Sequence, residues 1–335
     1  TNYLLALGDL LAHRQSEISI PVYLADSILT PSLERMQDGQ LSFLAQGSTR
    51  VRRAGYSFNT AVGRFTVPAS LVQARYIDQL ANLLEECVRS GLKPTQFRQR
   101  LLATFPLGED KDVADIGLAV ELYEQLLDLE RQGINGIWAR IIKNAFAPIF
   151  QGRFDYVAGN PPWVNWESLP GDYRQETKPL WVHHNLFPHS GMDTILGKGK
   201  KDISMLLTFV AADNYLKDGG KLGFVITQSV LKTSGAGQGF RRFVLGSGTP
   251  MAVLGVDDLV ELQPFEGASN RTALIALQRG RKNRYPVPYN LWRRTVRGKR
   301  IPEDASLDEV QTMSAVRRQD AQPVDASDAT SPWIS

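Results

Sequence analysis

Asn160-Pro161-Pro162-Trp163 comes directly after the largely apolar run Phe154-Asp155-Tyr156-Val157-Ala158-Gly159, and these four residue types together suit one piece of chemistry. An exocyclic amine on a purine is a weak nucleophile, because its lone pair is delocalised into the ring. Its two hydrogens must be held while the nitrogen attacks. A side-chain amide oxygen and a backbone carbonyl both accept from such an NH₂ group. Asn160 supplies the first, and the carbonyl of Pro161, fixed by the restricted dihedrals of Asn-Pro-Pro, supplies the second. Trp163 offers a π-face on which an extruded base can stack, worth about 1–3 kcal/mol per base. Extrusion from a duplex costs a few kcal/mol, so a stacking wall is needed. The plainer alternative is a strand-ending turn beside a buried tryptophan. Four residues in this order after a strand-like run favour the chemical reading.

The elements that must position these residues can be read from apolar spacing. Residues 154–159 read as a buried strand. Ile18 to Ala25 reads as another, ending at Asp26-Ser27, where a carboxylate stands at the carboxyl end of a strand, the place where open α/β sheets bind ligands. Asp26 or Ser27 is equally suited to capping a turn. Lys201-Asp202-Ile203 opens a helix in which Ile203, Leu206, Leu207, Val210, Ala211 and Leu216 form a core face. Gly219-Gly220 suits a left-handed helix terminus before a strand from Lys221 to Ser229. Gln263-Pro264-Phe265-Glu266-Gly267-Ala268 and a strand from Thr272 to Leu277 come later. Between Thr30 and Asn144 the alternation stops and helical patterns take over at 71–88, 97–102, 113–127 and 134–142.

The segment Asn160–Trp163 resembles motif IV of the S-adenosylmethionine-dependent amino-methyltransferases of the adenine-N6 type. The order of the flanking elements is similar to the large Eco57I-like and type IIG restriction-modification methylases, and to related phage-defence methylases. The resemblance covers roughly Leu4 to Leu29 and Ala145 to Gly280. It implies an α/β fold, a Rossmann-like methyltransferase sheet incomplete at its N-terminus, with a large helical insertion. It also implies a catalytic domain of residues 1–29 and 145–280, an insertion of 30–144, and a basic segment and linker of 281–335 leading to a target-recognition region. Asp26, Ser27 and Asn160 are then expected to contact S-adenosylmethionine, and Asn160, Pro161, Pro162 and Trp163 to hold a flipped adenine of double-stranded DNA. The strand at Thr272–Leu277 is expected to lie antiparallel. A specificity or restriction domain or subunit is the further partner expected. The family's glycine-containing cofactor loop does not lie ahead of Leu4, so the chain reads as a fragment. RNA or a protein glutamine are alternative substrates for the same pocket, and a catalytically inactive DNA-binding fragment is an alternative of another class.

Composition sets looser bounds. The net charge of +3 permits a DNA partner without demanding one. The single cysteine, Cys87, excludes an internal disulfide and fits a reducing compartment. No apolar run approaches the roughly 20 residues needed to cross a bilayer. A cytoplasmic, DNA-associated protein of a bacterium or archaeon is expected. Gly197-Lys198-Gly199-Lys200-Lys201 lacks the spacing and hydroxyl of a phosphate loop. Its Lys198, Lys200 and Lys201 instead suit a mobile loop on a DNA backbone. Arg50-Val51-Arg52-Arg53 and Arg98-Gln99-Arg100 read as solvated faces before phosphate contacts. His183, His184 and His189 invite a metal, but sequence neighbours point apart and no acidic or thiol partner shows ligand spacing. No metal is expected. Gly235-Ala236-Gly237-Gln238-Gly239 reads as a flexible loop into a helix at Phe240, and Asp320 to Pro332 as a linker.

Overall fold

Ile77, Leu80, Ala81, Leu84, Cys87 and Val88 recur at helical spacing, and all six are buried on one face of α1 (Ile77–Arg89). The computed structural model describes residues 26–36, 53–60, 62–109, 112–134, 137–150, 152–187, 201–235, 237–265, 270–295, 301–302 and 304–335. The expected strand at Ile18–Ala25, together with Arg50, Arg52, His189, Lys198 and Lys200, lies outside them.

Two units are present. One takes in Ser32–Ser57 and Phe65–Phe150. Its helices follow the apolar pattern: α1, α2 (Pro94–Thr104), α3 (Val113–Arg131) and α4 (Trp138–Phe150). Proline at the first turn of α2 starts that helix without losing a hydrogen bond. Phe97 of α2 stacks on Tyr123 of α3 at 4.3 Å, and the Tyr123 hydroxyl donates to the carbonyls of Leu92 and Cys87. That bond closes the α1–α2 turn onto the core. Cys87 is a packed, reduced core thiol. Arg98 and Arg100 are exposed and face Glu109 and Glu86. Helical periodicity missed a three-stranded sheet ahead of the helices. β1 (Ser32–Met36) pairs antiparallel with β2 (Arg53–Thr60), which neighbours β3 (Gly63–Pro68).

The other unit comprises Asp26–Pro31, Phe58–Arg64 and Gln151–Ser335. Its elements are β4 (Phe154–Gly159), α5 (Gly171–His183), α6 (Ile203–Tyr215), β5 (Leu216–Thr227), the short α7 (Ser229–Lys232), β6 (Met251–Asp258), β7 (Thr272–Arg279), β8 (Val287–Arg294), α8 (Leu307–Met313), β9 (Ser314–Pro323) and β10 (Trp333–Ile334). The strands form one mixed sheet in the order β10-β9-β8-β6-β7-β5-β4. β4 runs parallel to β5, β7 lies antiparallel between β5 and β6, and β8 is parallel to β6. This is the α/β, Rossmann-like arrangement, with the antiparallel β7 where it was expected. Leu222, Phe224 and Ile226 alternate into the core, where Leu206, Phe209 and Val210 of α6 also lie.

Four expectations change. β4 is not a buried strand: Phe154 is 41% and Tyr156 73% exposed, because among the described residues β4 has β5 alone as its neighbour. Apolar composition marks a strand, but the number of neighbours decides its burial. Gly219 does adopt a left-handed φ of 78°, yet α6 has already ended at Tyr215. The glycine serves an excursion inside β5, where the register jumps from Phe154↔Leu216 to Tyr156↔Lys221. The stretch around Gly237 is a tight crossing of backbones, not a loose loop, since a Cβ there would collide with the Val230 carbonyl. Residues 281–335 carry β8, α8, β9 and β10 in place of a linker. Their Ser, Asp and Pro content makes tight turns: Asp325 accepts from the Ser327 amide and Asp328 from that of Thr330. Trp333 is buried against Phe243 and Tyr285.

Two of the buried polar groups tie distant segments of this unit together. Arg241, 1% exposed, donates to the carbonyls of Val230, Thr233 and Thr330. It joins the chain after β5 to the C-terminal turn. His184, also buried, accepts the Gly246 amide at Nδ1. His183, His184 and Asp213 do come together, with candidate ligand atoms within 4.8 Å of one another, and the two imidazole rings meet edge to face with centroids 4.8 Å apart. Sequence spacing could not show this. The lone pair of His184 Nδ1 is already engaged, and Asp213 accepts from Ser247 and faces Arg279, so the cluster reads as structural.

Replacing Arg241 by Met should cost about 3 kcal/mol in urea unfolding, because three buried carbonyls lose their donor; an unchanged midpoint would show that the guanidinium is dispensable. Burial, with the His183 charge second, pushes His184 from its ordinary 6.5 down to about 4. The unfolded chain therefore binds the extra proton between those values, so stability rises with pH across that window and is lost as pH falls from 6.5 toward 4. Thermal melts of His184→Gln should lose part of this slope, and slopes identical to the parent protein would assign the acid sensitivity elsewhere.

Candidate functional site

The parallel register brings Gly159 opposite Phe224, so β4 and β5 end side by side. The segments leaving the two strands meet at one edge of the sheet. Asn160 is exposed at the end of β4, Pro161 is buried and Pro162 exposed. Trp163 is half-buried, and its indole Nε1 donates to the Val225 carbonyl at 3.0 Å. The ring is thereby fixed to the end of β5. Phe265 meets it edge to face, with centroids 5.0 Å apart at 73°, a favoured aromatic geometry.

Polar groups surround this pair. A cavity of about 200 Å³ is lined by Trp163, Asn165, Asp202, Met205, Thr227, Ser229, Val230 and Asn270. A second, of about 310 Å³, is lined by Val260, Gln263, Pro264, Phe265, Asn270, Arg271 and Thr272. Asn270 belongs to both. Thr227 stands opposite Thr272 across β5 and β7, and the Gln228 amide donates to the Arg271 carbonyl at 2.7 Å, which carries the chain around Asn270 to the site. Behind it, buried Asp258 accepts from the Gln228 side chain, from the Tyr289 hydroxyl at 2.7 Å and from the Val260 amide. Burial drives the Tyr289 hydroxyl far above the ordinary phenol range, so it remains a donor. Asp202 is buried as well, and desolvation raises its carboxyl while bonds from Ser204 and Thr227 oppose the shift.

Asp26 is exposed, and Oδ1 accepts from the Ile28 and Leu29 amides at 2.7 and 3.0 Å. Oδ2 accepts from Tyr173 of α5 at 3.0 Å. The carboxylate thus organises its own turn, as the capping alternative had it. Three of its roughly four acceptor positions are filled, leaving one for an amine. The Tyr215 hydroxyl, buried and without a hydrogen-bond partner among the described residues, is pushed up to about 12 by burial and, second, by Asp26. An open acceptor and an unpaired hydroxyl fit the polar edge of a nucleoside such as the adenosyl part of S-adenosylmethionine. Ser27 is exposed beside them.

Lys201 departs from expectation. It is 4% exposed, its ammonium lies 5.4 Å over the Phe187 ring, and its carbonyl accepts the Trp166 amide. A side chain seated in this way packs the loop and does not reach a phosphate backbone. The sequence reading assigned no role to Phe265, Asp202, Asn165, Thr227 or Asn270. An aromatic after Gln-Pro ahead of the β7 strand was the available signal for Phe265. The others carry ordinary polar identities that only the fold gathers.

The profile of the Eco57I restriction-modification methylase family matches residues 95–251, just under half of the chain and including Asn160 to Trp163. No curated protein matches the chain. Among solved structures, a nuclease-deletion mutant of the Type ISP restriction-modification enzyme LlaGI, in complex with a DNA substrate mimic, is 15% identical over 64% of this chain and 23% of its own, at a TM-score of 0.37. A type I restriction-modification methyltransferase subunit from Streptococcus thermophilus is 16% identical over 52% and 38%, at 0.31. The DrdV–DNA complex is 14% identical over 65% and 23%, at 0.35. The chain therefore spans well under half the length of these proteins.

Proposed function

We propose that this chain, whose residues 95–251 carry the Eco57I restriction-modification methylase pattern, is part of a methyltransferase that modifies the N6 amine of a flipped adenine in double-stranded DNA. The observation that carries this reading is Asn160-Pro161-Pro162-Trp163 at the end of β4, with Trp163 tied to Val225 and met edge-on by Phe265. An extruded base stacks on the Trp163 face, and Phe265 limits its sideways slip. The Asn160 side-chain oxygen and the Pro161 carbonyl accept the two N6 hydrogens and aim the nitrogen lone pair. Proline on both sides of that carbonyl keeps it in place. The gain comes from orientation: well-held reactants gain about 7–11 kcal/mol over free encounter. Neither acceptor is a strong base, so the sulfonium–methyl bond would break as the N6–methyl bond forms, releasing a neutral thioether, and the N6 proton would then pass to solvent water.

S-adenosylmethionine supplies an electrophilic methyl on a sulfonium. Asp26, Ser27 and Asn160 are the residues that would hold it, with the open acceptor position on Asp26 suited to its adenine amine. The biological setting that fits is restriction-modification or another phage defence, with a specificity or restriction domain or subunit as the further partner.

Asn160→Ala should abolish transfer of labelled methyl to DNA while leaving DNA affinity largely intact, and turnover like that of the parent protein would sink the assignment. N6-methyladenine in DNA digests would exclude RNA and protein glutamine as the substrate. Calorimetry with S-adenosylmethionine separates an enzyme from an inactive binding fragment. Trp163→Ala should weaken capture of the extruded base by about 1–3 kcal/mol, read as a smaller fluorescence rise from 2-aminopurine at the target; an unchanged rise would remove the stacking role.

A further inference from the structure

Asp202 is a carboxylate that the proposed transfer does not use, yet the fold buries it to 7% exposure. Its two oxygens have separate partners. Oδ1 accepts from the Ser204 amide at 2.9 Å and caps α6, while Oδ2 accepts from the hydroxyl of Thr227, the last residue of β5, at 3.2 Å. Its backbone forms an antiparallel bridge with Asn165. On either side, the Trp166 amide donates to the Lys201 carbonyl at 2.7 Å and the Ile203 amide to the Val164 carbonyl at 2.9 Å. One residue therefore joins the loop after Trp163, the start of α6 and the end of β5. It also forms part of the wall of the 200 Å³ cavity that Trp163 lines.

A stacking plane works only if it is held to within a fraction of an ångström, and that takes a supporting layer of locked side chains. Trp163 itself has one hydrogen bond to β5. The loop behind it is zipped to residues 201–203, and the Asp202 side chain is the bond that fastens this zipper to β5. We propose that Asp202 is a positioning residue for the base-stacking wall, clamping residues 164–166, and through them Trp163, against the end of β5. It acts through Trp163 and touches no reacting atom. The substrate side of this inference rests on the proposed function; the clamp does not.

The choice of side chain follows from the donors. Both partners donate, and an ionised carboxylate accepts from both. In Asp202→Ala, a buried amide and a buried hydroxyl lose their acceptor. In Asp202→Asn, the amide oxygen can still cap Ser204, and the Thr227 hydroxyl can turn to accept from the new NH₂. If Asp202 instead received a hydrogen bond from the substrate, Asn would not substitute for it.

The test is made on the full protein with 5-fluorotryptophan incorporated and the Trp163 ¹⁹F resonance assigned through Trp163→Phe. Asp202→Ala should shift or broaden that resonance and lower kcat by about 10- to 100-fold, the usual penalty of misplacement by an ångström, with S-adenosylmethionine affinity unchanged. Asp202→Asn should recover the resonance and most of kcat. An unmoved resonance in Asp202→Ala overturns the clamp. An Asn variant as inactive as Ala, with the resonance in place, makes Asp202 a substrate contact and overturns the positioning role. Should Asp202→Ala fail to fold, Thr227→Val removes one end of the clamp alone and must move the same resonance for the inference to stand. If the parent protein methylates no DNA, the proposed function fails while the ¹⁹F comparison still decides the clamp.

Discussion

The parallel pairing of β4 with β5 is the constraint on which the rest depends. Two parallel strands end at the same edge of a sheet, and the chain must make a long crossover to join them. Here the crossover runs from Asn160 to Tyr215 and includes the candidate site at its start and α6 at its end. Because Gly159 lies opposite Phe224, the residues after β4 and those closing β5 are neighbours. The Trp163–Val225 bond is a direct product of that register.

The antiparallel β7 completes the arrangement from the other side. Its pairing with β5 sets Thr272 against Thr227, so Asn270 and Phe265, which precede it, come to the same edge as Trp163. Asp258 at the end of β6 then ties Gln228 after β5 to Tyr289 of β8. A buried carboxylate with three donors is well compensated, and loss of any one leaves charge or a donor exposed to a dry interior. Strands beyond β7 thus hold the site edge without contributing to its cavities.

The legible parts were those in which local sequence has only one physical solution. Helical spacing placed α1, α3 and α6, and Asn-Pro-Pro after a strand-like run placed the end of β4, because proline removes conformational choice whatever the surroundings. The antiparallel β7 came from the family resemblance alone. Reading failed where neighbours decide. Phe154 and Tyr156 look like core residues until β4 is found at the edge of the described sheet. Lys201 looks like a surface cation until Phe187 covers it, and Asp320–Pro332 looks like a linker until Trp333 anchors it.

By itself, the sequence determined which groups stand together: an amide, a carbonyl between two prolines and an aromatic plane in four consecutive positions. Only the tertiary structure decided what the plane leans on. Phe265 meets its ring, and Asp202, Thr227 and Asn270 line the cavity it borders, brought there by strand register and helix capping. Those contacts join positions far apart in the chain, so no local spacing encodes them.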